Sequence, residues 1–163
     1  MNEKELVDLA VSVTGKIKQR GLTLAVAESC TGGWLSKIIT EVSGVSAIYK
    51  GGICTYANEI KSALLGVKEE TLKEYGAVSE QTARQMSEGV CRAMNTDIGI
   101  GITGIAGPLS DNTAKPVGLI YVSATVCGKT TVKELRNSFD GDVRTLNRYS
   151  AVKTALELLG DLL

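Results

Sequence analysis

The sequence has no histidine, few aromatic residues and no net charge. Without histidine, Ser–His–Asp chemistry is excluded, so a serine nucleophile in this chain needs a different base. No apolar run approaches the roughly 18 residues that span a bilayer, so we predict no membrane partner. Nucleic-acid binders carry a strong basic excess, whereas lysine plus arginine here equals aspartate plus glutamate. We therefore expect no nucleic-acid partner either.

The four cysteines are widely spaced and form no CxxC pair, and no histidine is present to complete a zinc cluster. We expect reduced, mostly buried thiols and no metal site. Metal binding by carboxylates alone remains an alternative that no spacing supports. The charged, polar start of the chain is unlike a signal peptide, which favours a cytoplasmic protein.

Hydrophobic periodicity predicts one α/β domain over residues 1–163, with no linker or internal repeat. A first helix ends near Gly21, and a buried strand covers 22–27. Alternating glycine and isoleucine over 98–102 predict a strand that a neighbour approaches closely. Further elements are an extended segment over 45–57, helices after Asn58, over 69–75 and after Ser79, a hairpin turning at Gly128-Lys129, and a closing helix. This order predicts a three-layer α/β/α sandwich around a mixed β-sheet.

The run from Leu22 to Gly33 predicts a buried strand that leads through a glycine turn into a helix. This geometry places the hydroxyls of Ser29 and Thr31 beside a helix N-terminus, whose N–H groups can hold an anion. Gly32 and Gly33 allow a ligand to approach the backbone closely, although they can also serve only the turn. Cys30 is a rival nucleophile that would itself need a base.

The segment Tyr56-Ala-Asn58-Glu-Ile-Lys61 supplies a candidate base. With Asn58 as the N-cap, Lys61 occupies the third helical position, where the helix dipole lowers the pKa of an amine, and burial lowers it further. A neutral lysine can take the proton of Ser29, and Tyr56 can relay that proton or orient the lysine. The alternative is a solvated lysine beside a packed tyrosine.

Two further groups can contact a ligand. Thr103 offers a hydroxyl and Gly104 an N–H at the end of a predicted strand, although a simple turn also explains them. Arg144 and Arg148 lie four residues apart near the start of the last helix, where either can bind a phosphate. An exposed arginine pair on a solvated face is the alternative.

Five motifs together resemble one family, the CinA C-terminal domains, which are nicotinamide-nucleotide amidohydrolases. The resemblance runs from about Val7 to Leu162. The motifs, in chain order, are Ala27-Glu-Ser-Cys-Thr-Gly-Gly33, Tyr56-x-Asn-x-x-Lys61, Gly76-Ala-Val-Ser79, Thr103-Gly-Ile-Ala-Gly-Pro108 and Lys115-Pro-Val-Gly118.

The resemblance implies a cytoplasmic bacterial enzyme of pyridine-nucleotide salvage, with a three-layer α/β fold. Its substrate would be nicotinamide mononucleotide, and its products nicotinate mononucleotide and ammonia. We expect the standalone form, a homo-oligomer with no cofactor and no metal. Two other functions stay open: a non-catalytic nucleotide- or partner-binding module linked to competence or DNA damage, and an amidase for another small carboxamide.

The resemblance also implies roles for single residues. Ser29 is the nucleophile, Tyr56 and Lys61 assist it, Thr103 is the loop threonine, and Arg144 lies on the phosphate side. The chain departs from the family pattern at two places. The dipeptide Ser110-Asp111 replaces a usual glycine pair and adds a negative charge, and one extra residue near Gly141 leaves Arg148 as an alternative to Arg144.

Overall fold

The computed structural model describes residues 2–163. Within that range the chain forms six helices and five strands, with one short 3-10 turn. In chain order they are α1 (Glu3–Gln19), β1 (Leu24–Glu28), α2 (Trp34–Thr40), the 3-10 turn (Val45–Ala47), β2 (Tyr49–Cys54), α3 (Asn58–Leu65), α4 (Glu69–Tyr75), α5 (Glu80–Met94), β3 (Ile98–Gly104), β4 (Leu119–Val126), β5 (Lys129–Arg136) and α6 (Val143–Leu162).

The strands form one mixed sheet in the order β2-β1-β3-β4-β5. Strand β1 is parallel to both of its neighbours, β2 and β3, whereas β4 runs antiparallel to β3 and β5. The carboxyl ends of three parallel strands therefore meet at one edge, where α/β proteins place their ligands.

Alternate residues of β1 face opposite helical layers, which makes the strand buried on both sides. Leu24 and Val26 pack in the cluster that holds the apolar residues of α1, α2 and α6. Ala25 and Ala27 pack with Met86 of α5 on the other face. The predicted three-layer α/β/α sandwich around a mixed sheet is confirmed.

The glycines of β3 explain how close α5 comes to the sheet. A Cβ atom at Gly99 would lie 2.2 Å from the carbonyl oxygen of Ser87, and one at Gly101 would lie 2.6 Å from that of Ala83. Only glycine leaves room for the backbone of the helix, so the close approach predicted from the alternating glycines is confirmed.

Three local predictions were wrong. Val45–Ala47 forms a 3-10 turn rather than an extended segment. The hairpin turns at Cys127 and Gly128, whose φ angles of 48° and 82° suit a two-residue turn, so Lys129 already belongs to β5. All four thiols are free, but Cys54 and Cys127 are exposed rather than buried.

Within residues 2–163 no helix is both long enough and apolar enough to cross a bilayer.

Candidate active site

A cleft of about 430 Å³ lies at the edge where the parallel strands end. Loops after β1, β2 and β3 contribute to it, together with the start of α6 and the segment before α5. Six of the nine predicted site residues line this cleft: Ser29, Tyr56, Lys61, Thr103, Gly104 and Arg144. The other three, Thr31, Gly32 and Gly33, do not line it.

Ser29 and Lys61 meet on the cleft floor. The backbone N–H of Ser29 donates to the carbonyl of Ile102 at 3.0 Å, which holds the residue beside β3. The side chain of Lys61 is almost completely buried, with 1% exposure, and its Nζ lies 3.2 Å from Oγ of Ser29. The predicted juxtaposition of an amine and a hydroxyl is therefore present in the structure.

The other partners of Lys61 define how its amine can bond. Its Nζ lies 2.7 Å from the carbonyl oxygen of Thr55 and 3.4 Å from that of Tyr56. A neutral amine has two N–H donors and one lone pair. Two carbonyls can take the two donors, which leaves the lone pair for the hydroxyl proton of Ser29. The site therefore accommodates a neutral lysine without an unpaired atom.

Burial is the main reason why the pKa of Lys61 is lowered, because an ammonium is penalised away from water. Asn58 was wrongly predicted as the N-cap. The cap is Ala57, which makes no side-chain bond, and Asn58 is the first helical residue. Lys61 is therefore the fourth helical residue, and its own N–H already bonds to the Ala57 carbonyl at 3.2 Å.

Tyr56 does not orient Lys61 with its phenol, so that part of the prediction was wrong. The side chain is 64% exposed, and its hydroxyl accepts a hydrogen bond from Nη2 of Arg144 at 3.2 Å. Only the backbone carbonyl of Tyr56 reaches the amine. The phenol therefore borders the cleft mouth and holds an arginine.

The two arginines of α6 have different surroundings. Arg144 lines the cleft and also donates from Nη1 to the carbonyl of Gly107 at 2.8 Å. Arg148 instead donates to the carbonyl of Thr31 at 2.8 Å and lies over the ring of Trp34, 5.4 Å from its centroid. Of these two candidates, Arg144 is the one in contact with the cleft.

The start of α2 is occupied by a residue that the sequence analysis missed, Glu28. This fully buried carboxylate accepts bonds from the N–H groups of Gly33 and Leu35, each at 3.1 Å. Its other oxygen accepts from the N–H and the hydroxyl of Ser36, each at 2.8 Å. An acidic residue at the end of a buried strand was the available signal, because a buried charge needs partners.

The prediction that Thr31, Gly32 and Gly33 bind substrate therefore does not fit the structure. Glu28 takes the place of an external anion, and Thr31 is fully buried. The φ angles of Gly32 and Gly33 are 61° and 95°, which L side chains rarely adopt. The two glycines form the tight turn, as the alternative interpretation had it.

The predicted ligand group of Thr103 is engaged within the protein, and Gly104 is needed for packing. The hydroxyl of Thr103 donates to the carbonyl of Ala77 at 2.7 Å. Gly104 belongs to β3, and a Cβ atom there would lie 2.6 Å from Cγ1 of Ile120. Both residues border the cleft, but packing accounts for the glycine.

Cys30, the rival nucleophile, lines the cleft as a buried thiol. Burial raises its pKa to about 12, so the thiol stays protonated near neutral pH. Because the thiolate is the nucleophilic form, this environment favours Ser29 over Cys30.

Residues 6–163 match the sequence profile of the CinA C-terminal domain. The chain belongs to that family. A CinA-like protein of Kosmotoga olearia is 47% identical over 152 residues, covering 93% of this chain and 36% of that protein. A CinA-like protein of Dictyoglomus turgidum is 46% identical over 147 residues, which cover 90% of this chain and 35% of that protein. This CinA domain thus spans about a third of the length of the curated relatives it matches.

Solved structures match the CinA domain over almost its whole length. A competence/damage inducible protein from Agrobacterium tumefaciens has a TM-score of 0.90 at 38% identity, covering 99% of this chain and 96% of that one. A CinA superfamily protein from Escherichia coli has a TM-score of 0.91 at 30% identity, with coverage of 97% and 90%. These comparisons confirm both the family resemblance and the fold.

Proposed function

We propose that this CinA domain is an amidohydrolase with Ser29 as its nucleophile and Lys61 as its base. The proposed substrate is nicotinamide mononucleotide, and the products are nicotinate mononucleotide and ammonia. The observation that carries the proposal is the 3.2 Å contact between Nζ of Lys61 and Oγ of Ser29, at the floor of a cleft and with the amine out of water.

The reaction follows from this pair. Oγ of Ser29 attacks the carboxamide carbon while its proton passes to Lys61. The C–N bond then breaks, the lysine ammonium returns the proton to the leaving nitrogen, and ammonia departs. A water molecule, deprotonated by Lys61, hydrolyses the resulting ester and regenerates the serine. The lysine begins and ends each half-reaction neutral, which is the state that burial favours.

The tetrahedral intermediate carries a negative oxygen that needs donors. Cys30 follows the nucleophile and lines the cleft. Among residues 2–163 its backbone N–H donates to no other residue's backbone, and we propose that it donates to this oxygen.

Arg144 is the proposed partner of the substrate's phosphate. Nicotinamide mononucleotide combines a cationic ring with an anionic phosphate. The guanidinium of Arg144 uses one donor from each Nη for Gly107 and Tyr56. Three of its five N–H donors remain for a phosphate. We also propose, from the family resemblance, a homo-oligomer in the cytoplasm that works without a metal or cofactor.

Ammonia release from nicotinamide mononucleotide by the purified protein tests the proposal. We expect Ser29→Ala to lower kcat by about 1,000-fold or more, because the nucleophile is lost. Cys30→Ala is the matched control on the next residue and should stay active. Full activity in Ser29→Ala would discard the nucleophile assignment, and loss in Cys30→Ala alone would transfer it to the thiol.

Two other outcomes identify the alternative functions. A thermal shift with nicotinamide mononucleotide but without ammonia release would favour a binding module, and relatives in Clostridioides difficile and Alkaliphilus oremlandii carry names that refer to competence and damage. Ammonia release from a different small carboxamide in a substrate panel would keep the chemistry and change the substrate.

A further inference from the structure

Two sequence motifs have no part in the chemistry above, and the structure joins them. The first contains Gly76, Ala77 and Val78, which all line the cleft that holds Ser29. The second begins with Lys115, whose Nζ donates to the carbonyls of Tyr75 and Val78, at 2.5 Å each. We call residues 75–78 the strap.

Every carbonyl of the strap accepts a side-chain donor. Lys115 donates to the first and the last carbonyl, those of Tyr75 and Val78. The carbonyl of Gly76 accepts from the hydroxyls of Ser79 and Thr82, at 3.0 and 2.8 Å. The carbonyl of Ala77 accepts from Thr103 at 2.7 Å. Side chains from three separate segments thus hold a short loop that has no strand partner.

The N–H groups of the strap are in a different situation. Within residues 2–163 the N–H groups of Ala77 and Val78 meet no protein acceptor. These peptide bonds are trans, so each N–H points away from the carbonyl of the same peptide unit. Val78 is buried, with 6% exposure, and a buried N–H without an acceptor is costly. The strap therefore presents two N–H donors that have no protein partner, whereas each of its carbonyls already accepts at least one hydrogen bond.

The strap also lies close to the nucleophile. The N–H of Ser29 bonds to the carbonyl of Ile102, and the next residue, Thr103, bonds to Ala77. The anchor of Ser29 and the anchor of the strap are thus consecutive residues of β3.

We propose that the N–H groups of Ala77 and Val78 bind the carboxamide oxygen of the substrate as it becomes anionic. Lys115 and Thr103 are the positioning residues that turn these donors toward it. This inference rests on the proposed amidase function and adds a second set of donors to that of Cys30.

The chemistry of the strap selects this oxygen among the groups of the substrate. A carboxamide NH2 needs an acceptor, whereas the groups of the strap that lack any protein partner are the two N–H donors. The phosphate has the free donors of Arg144, which is held by Gly107 and Tyr56 rather than by the strap. Cationic Lys115 on the carbonyl side also polarises the peptide units and strengthens their N–H donors.

Three variants test the strap by steady-state ammonia release. Ala77→Pro removes one N–H, and the ψ of 172° at Gly76 is compatible with a following proline. We expect kcat to fall about 100-fold with KM little changed, as when an oxyanion donor is lost. Lys115→Met should lower kcat about tenfold, because the donors lose their alignment. Lys115→Arg can still donate to both carbonyls and should therefore retain most of the kcat of the unmodified chain.

The matched control is Lys73→Met, which removes a positive charge from the exposed last turn of α4 without contacting the strap. Its kcat should equal that of the unmodified chain. If the melting temperature shows that Ala77→Pro does not fold, the kcat values of Lys115→Met and Lys115→Arg test the inference instead.

Each remaining outcome counts against the strap. An unchanged kcat in folded Lys115→Met would overturn the inference. A change confined to KM, present for nicotinamide mononucleotide but absent for nicotinamide riboside, would assign the strap to the phosphate and overturn it too. An unmodified chain that releases no ammonia refutes the amidase proposal and the strap with it, whereas an active chain with unaffected variants refutes the strap alone.

Discussion

The carboxylate of Glu28 accepts hydrogen bonds from both the backbone N–H and the hydroxyl of Ser36, each at 2.8 Å. Together with the bonds from Gly33 and Leu35, they join the end of β1 to the start of α2. Ser29 lies in the turn between these two points. The position of Ser29, the proposed nucleophile, therefore depends on a buried carboxylate that does not line the cleft.

Replacing Glu28 should destabilise the fold. Glu28→Ala removes four hydrogen bonds and leaves N–H groups at a buried helix start unpaired, so we expect the free energy of unfolding to drop by about 3 kcal/mol. Urea denaturation measures it. Glu41→Gln, at the exposed end of the same helix, is the control and should change the stability by less than about 0.5 kcal/mol. Equal stabilities of the two variants would contradict the role of Glu28.

The pH dependence of activity should reveal Lys61. In the proposed mechanism the neutral amine is the base. We therefore expect kcat/KM to rise with pH through a limb that lies below the ordinary lysine pKa of about 10.4, because burial lowers the pKa of this amine. Lys61→Arg keeps a permanent charge and should be inactive at every pH tested. An acid limb centred at or above the ordinary lysine value would exclude Lys61 as a buried base.

The same pKa shift has a consequence for stability. Between the lowered pKa of Lys61 in the folded protein and its ordinary value in the unfolded chain, the unfolded state binds more protons. The free energy of unfolding should therefore rise with pH across that window. The rise should be absent in Lys61→Met, and urea titrations of both proteins over the window would show it.

The fold was predictable because its signals are local. The buried run of β1 and the glycines of β3 specify strands, and Ser79 marks the start of α5, where its side chain accepts a hydrogen bond from the N–H of Thr82. The predicted hairpin turn was misplaced by one residue because Cys127 adopts a positive φ angle, and a cysteine in the sequence does not indicate such a conformation.

The site was predictable only in part. Ser29 comes directly after the end of β1, and Lys61 lies in the first turn of α3. Both positions can be recognised from the local sequence, which is why their juxtaposition was predictable. The direction of the Tyr56 phenol depends on Arg144, which lies 88 residues away, and no local pattern encodes that contact. Glu28 bonds mainly to backbone N–H groups. Almost every residue has such a group, so the sequence does not indicate which residues bond to Glu28.

The two arginines of α6 should separate in their effects. Arg144→Ala should raise KM for nicotinamide mononucleotide about tenfold or more, and that for the riboside little, because a charge-assisted phosphate contact is lost. Arg148→Ala removes a bond to the Thr31 carbonyl and a contact with Trp34, so it should lower the melting temperature instead. A large KM effect in Arg148→Ala with none in Arg144→Ala would reverse the assignment.

Asp111 provides a test of charge in the cleft. Its Oδ1 accepts bonds from the N–H and the hydroxyl of Thr113, yet the residue is exposed and lines the same cleft as Arg144. A carboxylate there repels a phosphate, so Asp111→Asn should lower KM for nicotinamide mononucleotide about threefold at low salt, with a smaller effect at high ionic strength. Asp140→Asn, an exposed change outside the cleft, is the control for overall charge.

The opposite result for Asp111 would have a definite meaning. If Asp111→Asn raised KM for the nucleotide and the riboside alike, the carboxylate would be contacting the cationic ring or the ribose hydroxyls, which both compounds share. An increase limited to the nucleotide would contradict the placement of the phosphate beside Arg144, because removing a negative charge cannot weaken the binding of a nearby anion through electrostatics. Comparing the two substrates at two salt concentrations therefore locates the phosphate end of the cleft independently of the arginine variants.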